Sequence, residues 1–306
     1  GIVFPITLSL IFFNQPAIAE RDIVSSVTSN PPMPFIQMPS AGPYYHRIHQ
    51  ATSTNGLDWK VDLALLFDHA SVPGAVYHNG TIYLYYVNAK DPHKEKLSVA
   101  ISSDEGKSFN IYDVVIAGSN SPRPVDPSAT IDKGKIRLTY LGNFQQGGTH
   151  KAHKIVTATS INGLHFTEDA VLYTGEKVTD PDLFKDAQGT WVLLLSEPNG
   201  LIKLISKTTT RKFTKDVGFF FPQGGVCSTH LINGNYLCYY AGHGICVAKY
   251  EDGKLTELAS NLIQGLSGII ADPTVVSLKN GTYIMYFKND PQPSMIKPRQ
   301  TKQSTD

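Results

Sequence analysis

The chain has 306 residues, of which 41% are hydrophobic, and its formal net charge is +1. This length and composition are typical of one large or two ordinary globular domains and exclude a fibrous or wholly disordered chain. Lys and Arg total 27 against 26 Asp and Glu, with no basic block that would follow a phosphate backbone, so we expect no nucleic-acid partner and favour a neutral sugar-like ligand.

Residues 1–19 have the pattern of a secretory signal. An apolar run from Ile6 to Phe13 is followed by a break at Asn14 and Pro16 and by small residues up to Ala19. The order is that of an apolar core and a cleavage site. A membrane anchor is the alternative, but the run is too short to span a bilayer. We therefore expect cleavage after residue 19, export to the periplasm or the medium, and a mature chain without a membrane span.

A strand-turn-strand unit recurs five times along the chain. Its clearest copy, residues 271–287, reads Asp-Pro, a β-branched run, an Asn-Gly turn and an aromatic run. The turn glycines of the copies are spaced by 54, 55, 45 and 47 residues and are Gly80, Gly134, Gly189, Gly234 and Gly281. A period in this range is typical of four-stranded propeller blades. We name the two strands of this unit A and B.

A second strand-turn-strand unit, strands C and D, alternates with the first. Its copies span residues 46–59, 97–109, 153–166, 201–213 and 244–255. The chain therefore begins with C-D, continues with four A-B-C-D sets and ends with a lone A-B. This order predicts an all-β, five-bladed β-propeller of four-stranded antiparallel blades, closed by N-terminal strands that complete the last blade. We place the propeller at 43–289, after an N-terminal extension at 20–42 and before a disordered tail at 290–306, and expect a monomer.

These repeats resemble a known superfamily. The order Asp-Pro, apolar strand, Gly, aromatic strand, then Ser-x-Asn-Gly-x-x-aromatic is similar to the propellers of glycoside hydrolase families 43 (GH43) and 32, the arabinanase, xylosidase and invertase group, and to uncharacterised secreted bacterial relatives. The resemblance covers about residues 44–288. It implies a glycosidase-like fold and a carbohydrate ligand. It also implies an aspartate in the first blade, where this chain has Val72.

A narrower motif lies at residues 102–109. Ser102, Asp104, Gly106 and Phe109 fit the Asp-box of sialidases and related propellers. The resemblance implies that this motif stabilises a turn between the two outer strands of a blade. Turn chemistry agrees, so we assign Asp104 a structural role.

Three aspartates begin A strands immediately before a proline. Asp126, Asp180 and Asp272 precede their turn glycines by eight, nine and nine residues. The start of each A strand faces one mouth of the central channel, and strand B returns to the same mouth, so Glu197 is expected there too. Glycoside hydrolysis needs two carboxyl groups in different protonation states. We predict Asp126, Asp180 and Glu197 as catalytic; the alternative is that Asp-Pro only shapes the strand entry.

Four further residues are candidates for substrate binding. Asp272 shares the ring of aspartates, Arg123 directly precedes Asp126, His150 lies in a long loop, and Asp68 could replace the missing first-blade aspartate. Ordinary surface positions explain Arg123 and His150 equally well. The three cysteines, at 227, 238 and 246, lack metal-ligand spacing and allow at most one disulfide, so we expect no metal and no cofactor.

Three functions remain open at this point. The leading hypothesis is an exported glycosidase-like propeller that hydrolyses a glycosidic bond by carboxylate acid/base catalysis in its axial pocket. The second is a non-catalytic propeller of the cell envelope that binds glycan or protein. The third is a sialidase-like hydrolase, which one Asp-box supports and the lack of an arginine cluster disfavours.

Overall fold

The computed structural model describes residues 22–25, 42–91, 94–119, 123–144 and 152–291. The predicted signal at 1–19, His150 and the predicted tail from 292 lie outside these ranges. Within them the chain forms β-strands and a short 3-10 turn, Pro43–Tyr45. No helix in this part of the chain has the length and apolar character to cross a bilayer.

The strands follow the alternation that the sequence predicts. In chain order they are β1 (Asp22–Ser25), β2 (Arg47–Ser53), β3 (Lys60–Asp68), β4 (Ala70–His78), β5 (Thr81–Asn88), β6 (Lys96–Ser102), β7 (Ser108–Asp113), β8 (Val115–Ala117), β9 (Val125–Asp132), β10 (Lys135–Leu141), β11 (His153–Ser160), β12 (His165–Gly175), β13 (Thr179–Lys185), β14 (Trp191–Glu197), β15 (Gly200–Ser206), β16 (Thr214–Lys215), β17 (Gly225–Ile232), β18 (Asn235–Gly242), β19 (Gly244–Glu251), β20 (Lys254–Ala259), β21 (Ile269–Ser277) and β22 (Tyr283–Asp290).

The described strands form five sheets, which confirms the five-bladed propeller. Blade one is β4 to β7, blade two is β9 to β12, blade three is β13 to β16 and blade four is β17 to β20. Blade five has the order β21-β22-β2-β3, so the two ends of the chain share one sheet. The pairing of β2 with β22 is antiparallel and continuous from Arg47 opposite Asn289 to Ser53 opposite Tyr283. The predicted closure of the ring by N-terminal strands is therefore correct.

Two blades are larger than the four strands that the repeat predicts. Strand β1 adds to the outer edge of blade one by pairing antiparallel with β7, and β8 adds to blade two by pairing parallel with β12. Both lie beside the outermost strand of a blade, where an unpaired edge would otherwise expose its N–H and C=O groups. Neither carries a repeat pattern, so the sequence did not indicate them.

The Asp-box forms the turn that its sequence predicts. Ser102 donates a hydrogen bond from Oγ to Asp104 Oδ1 at 2.7 Å, and the Ser108 N–H donates to the same carboxylate oxygen at 2.9 Å. The C-D turns of blades five and two use asparagine in the same way, where Asn55 and Asn162 accept from the backbone N–H groups that follow. The motif is a turn device, and Asp104 has the structural role expected.

Neighbouring blades are joined through these C-D turns. The Tyr239 hydroxyl of blade four donates to the Gly56 carbonyl of blade five at 2.7 Å, and Tyr85 of blade one donates to the Gly163 carbonyl of blade two at 3.0 Å. Both tyrosines are fully buried in B strands. A buried tyrosine hydroxyl needs a partner, so each bond fixes the angle between two sheets while its ring fills the space between them.

We expect Gly56→Ala to destabilise the fold more than Gly281→Ala. Both glycines are left-handed, with φ of 77° and 83°, so each alanine costs about 1 kcal/mol in backbone conformation. A Cβ at Gly56 would meet Ile232 Cγ2 at 2.7 Å and Tyr239 Oη at 2.8 Å, whereas one at Gly281 meets no atom within 4 Å. Overpacking should add about 1–3 kcal/mol at Gly56 alone. Urea unfolding of both variants measures the difference, and equal losses would contradict this account of blade packing.

Candidate functional site

The same backbone position is left-handed in all five blades. The residues there are Val72, Asp126, Asp180, Val226 and Asp272, with φ between 39° and 55°. The pairing of strands A and B shifts register at this position in every blade, which is a β-bulge. Proline follows the residue in four of the blades and cannot donate to the ladder, so regular pairing is interrupted there.

The bulge residues meet at one mouth of the central channel. All five line a single cavity of about 20 Å³, together with the prolines, Ser128, Ser228 and Thr274. A volume of this size holds about one water molecule. Below it the channel widens to a cavity of about 180 Å³ that Asp182, Thr229 and His230 help to line. Among the described residues, these two cavities form a narrow shaft along the axis, and three carboxyl groups lie at its end nearest the mouth.

Two of the aspartates that line this shaft have raised pKa values. Burial, and then the charges of Asp180 and Asp272, raise the pKa of Asp126 well above its usual value, although the Asp180 backbone N–H donates to it and opposes the shift. Burial, and then the charge of Asp272, raise the pKa of Asp180 to about 6, against a hydrogen bond from Thr179 Oγ1 at 2.6 Å. The charges of two neighbouring aspartates act on Asp126 and that of one acts on Asp180, so the protonated form is favoured more strongly at Asp126.

Lys288 neutralises the third aspartate. Its Nζ lies 2.7 Å from Asp272 Oδ2, and both side chains are largely buried. Burial alone would lower the pKa of Lys288, but the charge and hydrogen bond of Asp272, with the charges of Asp180 and Asp126, raise it. Lys288 and Asp272 therefore form a buried ion pair beside the other two aspartates.

His46 completes the group beside this ion pair. Burial, and then the charge of Lys288, lower its pKa to about 4, so the imidazole is neutral at neutral pH. Its Nδ1 lies 2.7 Å from Ser71 Oγ, and its Nε2 lies 3.8 Å from Asp290. A neutral imidazole can offer one donor and one acceptor at the mouth without adding charge.

The arrangement can perform acid/base chemistry. Carboxyl groups whose surroundings separate their pKa values can act as acid and base at the same pH. Here a carboxyl group whose pKa lies well above its usual value, a second whose pKa is raised to about 6 and an ion-paired carboxylate lie around one cavity. Within the described ranges, no three His, Cys, Asp or Glu side chains are placed to share a metal ion.

The structure brings together three of the predicted site residues, Asp126, Asp180 and Asp272. Glu197 ends strand β14, and its carboxylate lies 3.4 Å from Lys215 Nζ on the outer strand of the blade. It is not among the described residues that line the axial cavity. Ser196 pairs with Thr179, so Glu197 lies at the same end of the blade as Asp180, with its carboxylate in contact with Lys215.

The remaining predicted residues have other surroundings. Arg123 forms an ion pair with Glu95 at 3.2 Å, and Asp68 forms one with Arg47 at 3.4 Å and accepts from the His69 N–H at 3.1 Å. Neither is among the described residues that line the axial cavity. His150 lies outside the described ranges. The three cysteines are buried free thiols.

Sequence reasoning missed Lys288, His46 and Asp290. A usable signal existed, since strand B ends and strand C begins at the same mouth as the bulge. In blade five these two points are far apart in the chain, at 288–290 and 46–47, because the ends of the chain share this sheet. Applying the rule across the ring closure would have found all three residues.

Comparison with known proteins identifies the fold. No family model and no curated protein matches the sequence. A GH43_1 enzyme from Xanthomonas citri superposes with a TM-score of 0.53 at 14% identity, over 71% of this chain and 81% of that chain. Its complex with xylotriose gives 0.54 at 14% identity, over 71% and 80%. An α-L-arabinofuranosidase from Clostridium thermocellum gives 0.53 at 17% identity, over 70% and 80%. The chain has a five-bladed propeller fold of the GH43 type.

We expect Asp180→Asn to change how stability depends on pH. The pKa of Asp180 rises from 3.8 unfolded to about 6 folded, so the folded protein binds more protons between these values. Its contribution to stability is fully present below the lower value and is lost as the pH rises through the higher one. Asparagine does not titrate, so the variant should gain up to about 3 kcal/mol relative to wild type between about pH 4 and pH 7.

Urea unfolding across this pH range measures the effect. Asp252→Asn is the matched control because Asp252 is exposed and has almost the same backbone conformation, with φ of 50° against 49° at Asp180. A constant stability difference between Asp180→Asn and wild type would show that Asp180 titrates normally.

We expect Lys288→Met to be strongly destabilising and Asp272→Asn to rescue it. Removing the ammonium leaves the buried Asp272 carboxylate without its partner at 2.7 Å, which typically costs about 3–5 kcal/mol. The double variant lacks both charges and should recover most of that loss. Denaturant unfolding of the two single variants and the double variant gives the coupling energy, and strictly additive losses would contradict a direct pair.

Proposed function

We propose that this GH43-type propeller hydrolyses a glycosidic bond at the axial mouth, with Asp126 as general acid and Asp180 as general base. The observation that carries the proposal is the convergence of the two carboxyl groups on one cavity that raises the pKa of both, well above its usual value at Asp126 and to about 6 at Asp180. Hydrolysis of this class needs two carboxyl groups in different protonation states, because one group must give a proton while the other accepts one.

The chemistry requires one proton transfer at each carboxyl group. The Asp126 carboxylic acid protonates the leaving glycosidic oxygen as its bond to the anomeric carbon breaks. The Asp180 carboxylate takes a proton from a water whose oxygen forms the new bond to that carbon. The two aspartates then exchange protons with solvent to restore the starting state. The water-sized cavity between the bulges offers a place for the nucleophile.

Asp272 and Lys288 act on both carboxyl groups. Asp272 raises the pKa of Asp126 and of Asp180, whereas Lys288 lowers both values. The pair therefore fixes the charged surroundings in which the two aspartates titrate. We assign both residues as positioning residues that act through Asp126 and Asp180.

A carbohydrate substrate is supported by the solved structures of the same fold. One of them, a GH43_1 enzyme, is complexed with xylotriose. We propose a short pentose-containing oligosaccharide as the substrate class. The signal-like pattern at 1–19 supports action outside the inner membrane, in the periplasm or the medium.

Glycan binding without catalysis is the second candidate. Val72 occupies the first-blade bulge, so this blade supplies no carboxyl group to the shaft, and Glu197 lies beside Lys215. Both observations favour a site in which the aspartates only hold sugar hydroxyl groups. The sialidase-like alternative receives no such support, since the Asp-box forms the same kind of turn as the Ser-x-Asn segments.

Hydrolysis of arabino-, xylo-, fructo- and sialo-oligosaccharides tests the proposal. Asp180→Asn and Asp126→Asn should each reduce turnover by about 100-fold or more, the range for a lost general acid or base. Turnover in the wild type should rise with pH through an apparent pKa of about 6, as Asp180 ionises. Asp252→Asn is the folded control and should keep wild-type activity.

Glu197→Gln decides the predicted catalytic role of Glu197. Because its carboxylate lies beside Lys215, we expect this variant to stay within a few-fold of wild type. A loss as large as that of Asp126→Asn would instead make Glu197 the acid. Glycan binding by wild type, measured by calorimetry without hydrolysis of any substrate, would favour the second candidate.

A further inference from the structure

A large cavity lies on the face opposite the aspartate mouth. Strand A begins at the mouth and ends at the A-B turn, so the A-B and C-D turns meet at the other face. There blades two, three and four enclose about 700 Å³. This volume falls within the range of small-molecule binding pockets and far exceeds that of the axial shaft.

Four lysines form the rim of this cavity. Lys133 and Lys135 flank the turn glycine of blade two, Lys185 ends strand A of blade three, and Lys207 follows strand C of the same blade. All four are exposed. The antiparallel pairing places A-B and C-D turns at one face, which explains why residues spread over 75 positions converge on one opening.

A buried arginine in the wall of the cavity is neutralised by two aspartates. Arg137 is buried, and its guanidinium pairs with Asp132 at 3.0 Å and with Asp169 at 2.8 Å. Thr157 Oγ1 accepts a further hydrogen bond from it at 3.0 Å. With its donors engaged, Arg137 holds blade two rigid beneath the lysines.

The cavity nevertheless carries net positive charge. Asp132, Asp169 and Arg137 sum to one negative charge and the four lysines add four positive charges, which leaves three positive charges on the lining residues. Asp186, which acts on the lining Tyr236 from beside Lys185, offsets one of them. His230 adds none, because burial lowers its pKa to about 4. The whole chain has a net charge of only +1, so this concentration is local. A concave site with low-dielectric walls focuses such a potential and attracts anions.

The other lining residues suit a sugar ring. Thr208 and Thr210 supply hydroxyl groups in one loop, whereas the buried Thr209 hydroxyl donates to Asp132 Oδ2 at 2.8 Å. Trp191 and Tyr236 add aromatic surface, and Lys185 Nζ lies 5.8 Å from the Trp191 ring centroid. Hydroxyl groups that donate and accept, together with aromatic edges, are the complement of a ring that carries both hydroxyl groups and C–H faces.

We propose that this cavity binds an acidic oligosaccharide that carries carboxylate or sulfate groups. The lysines hold the acidic groups at the rim, and the threonines and aromatic rings contact the sugar inside. The positive charge is confined to one cavity, which suits a short acidic chain better than a long polyanion. The site lies on a different face from the axial mouth and does not depend on the hydrolysis proposed there.

Calorimetric titration with three trisaccharides tests the proposal. The probes are trigalacturonate, its fully methyl-esterified form and a sulfated trisaccharide. We expect the charged probes to bind at least about tenfold more tightly than the ester, and to weaken as ionic strength rises. The two charged probes show which acidic group the site prefers.

A quadruple variant localises the binding. Lys133→Gln, Lys135→Gln, Lys185→Gln and Lys207→Gln together should weaken binding of the charged probes by about tenfold or more, since each exposed contact is weak alone and the four act together. The matched control replaces Lys107, Lys212, Lys254 and Lys279 by Gln, which removes the same charge from exposed positions outside the cavity.

Each outcome of these titrations either supports the proposed site or overturns it. Tight binding that the cavity variant loses and the control keeps supports the site. Equal binding of the charged probes and the ester, equal losses in the two quadruple variants, or no binding at all would each overturn it. Circular dichroism and thermal unfolding of both variants ensure that a loss of affinity reflects lost contacts and not lost fold.

Discussion

The antiparallel pairing of β22 with β2 is the constraint on which the ring and its site depend. These strands lie at opposite ends of the propeller sequence, and their hydrogen bonds run without a break from Arg47 opposite Asn289 to Ser53 opposite Tyr283. Ring closure brings blade five beside blade one and places the Asp272 bulge around the same axis as those of Asp126 and Asp180. It also brings His46 beside Lys288, because one residue precedes β2 and the other lies in β22.

The bulge itself favours aspartate for a reason unrelated to catalysis. A left-handed backbone is costly for a β-branched side chain, whereas aspartate and asparagine tolerate it. Blades one and four carry that cost with Val72 and Val226, and the other three blades avoid it with aspartate. A single Asp-Pro is thus adequately explained by backbone geometry. What backbone geometry alone does not explain is that the pKa values of Asp126 and Asp180 are raised, which arises because three carboxyl groups converge on one cavity that excludes bulk water, with Lys288 bound to the third.

Most of the fold could be predicted from the sequence, and only part of the site. Turn glycines and Asp-Pro steps mark strands A and B directly, so the blade count, the ring closure and the aspartate ring followed from their spacing. The contact of Glu197 with Lys215 did not, because Lys215 lies on β16, a strand of two residues that leaves no pattern in the sequence. Strands β1 and β8 were not predicted, because strands of three or four residues at a sheet edge leave no periodic pattern in the sequence.

The most direct test is a carbon-13 NMR titration of the aspartate side-chain carboxyl groups, with Asp126→Asn and Asp180→Asn used to assign the two signals. We expect the Asp180 signal to titrate near pH 6 and the Asp126 signal to remain that of a protonated acid well above its usual range. Titration of both carboxyl groups near 3.8 would show that the cavity does not divide their protonation, and the acid and base roles assigned to them would be wrong.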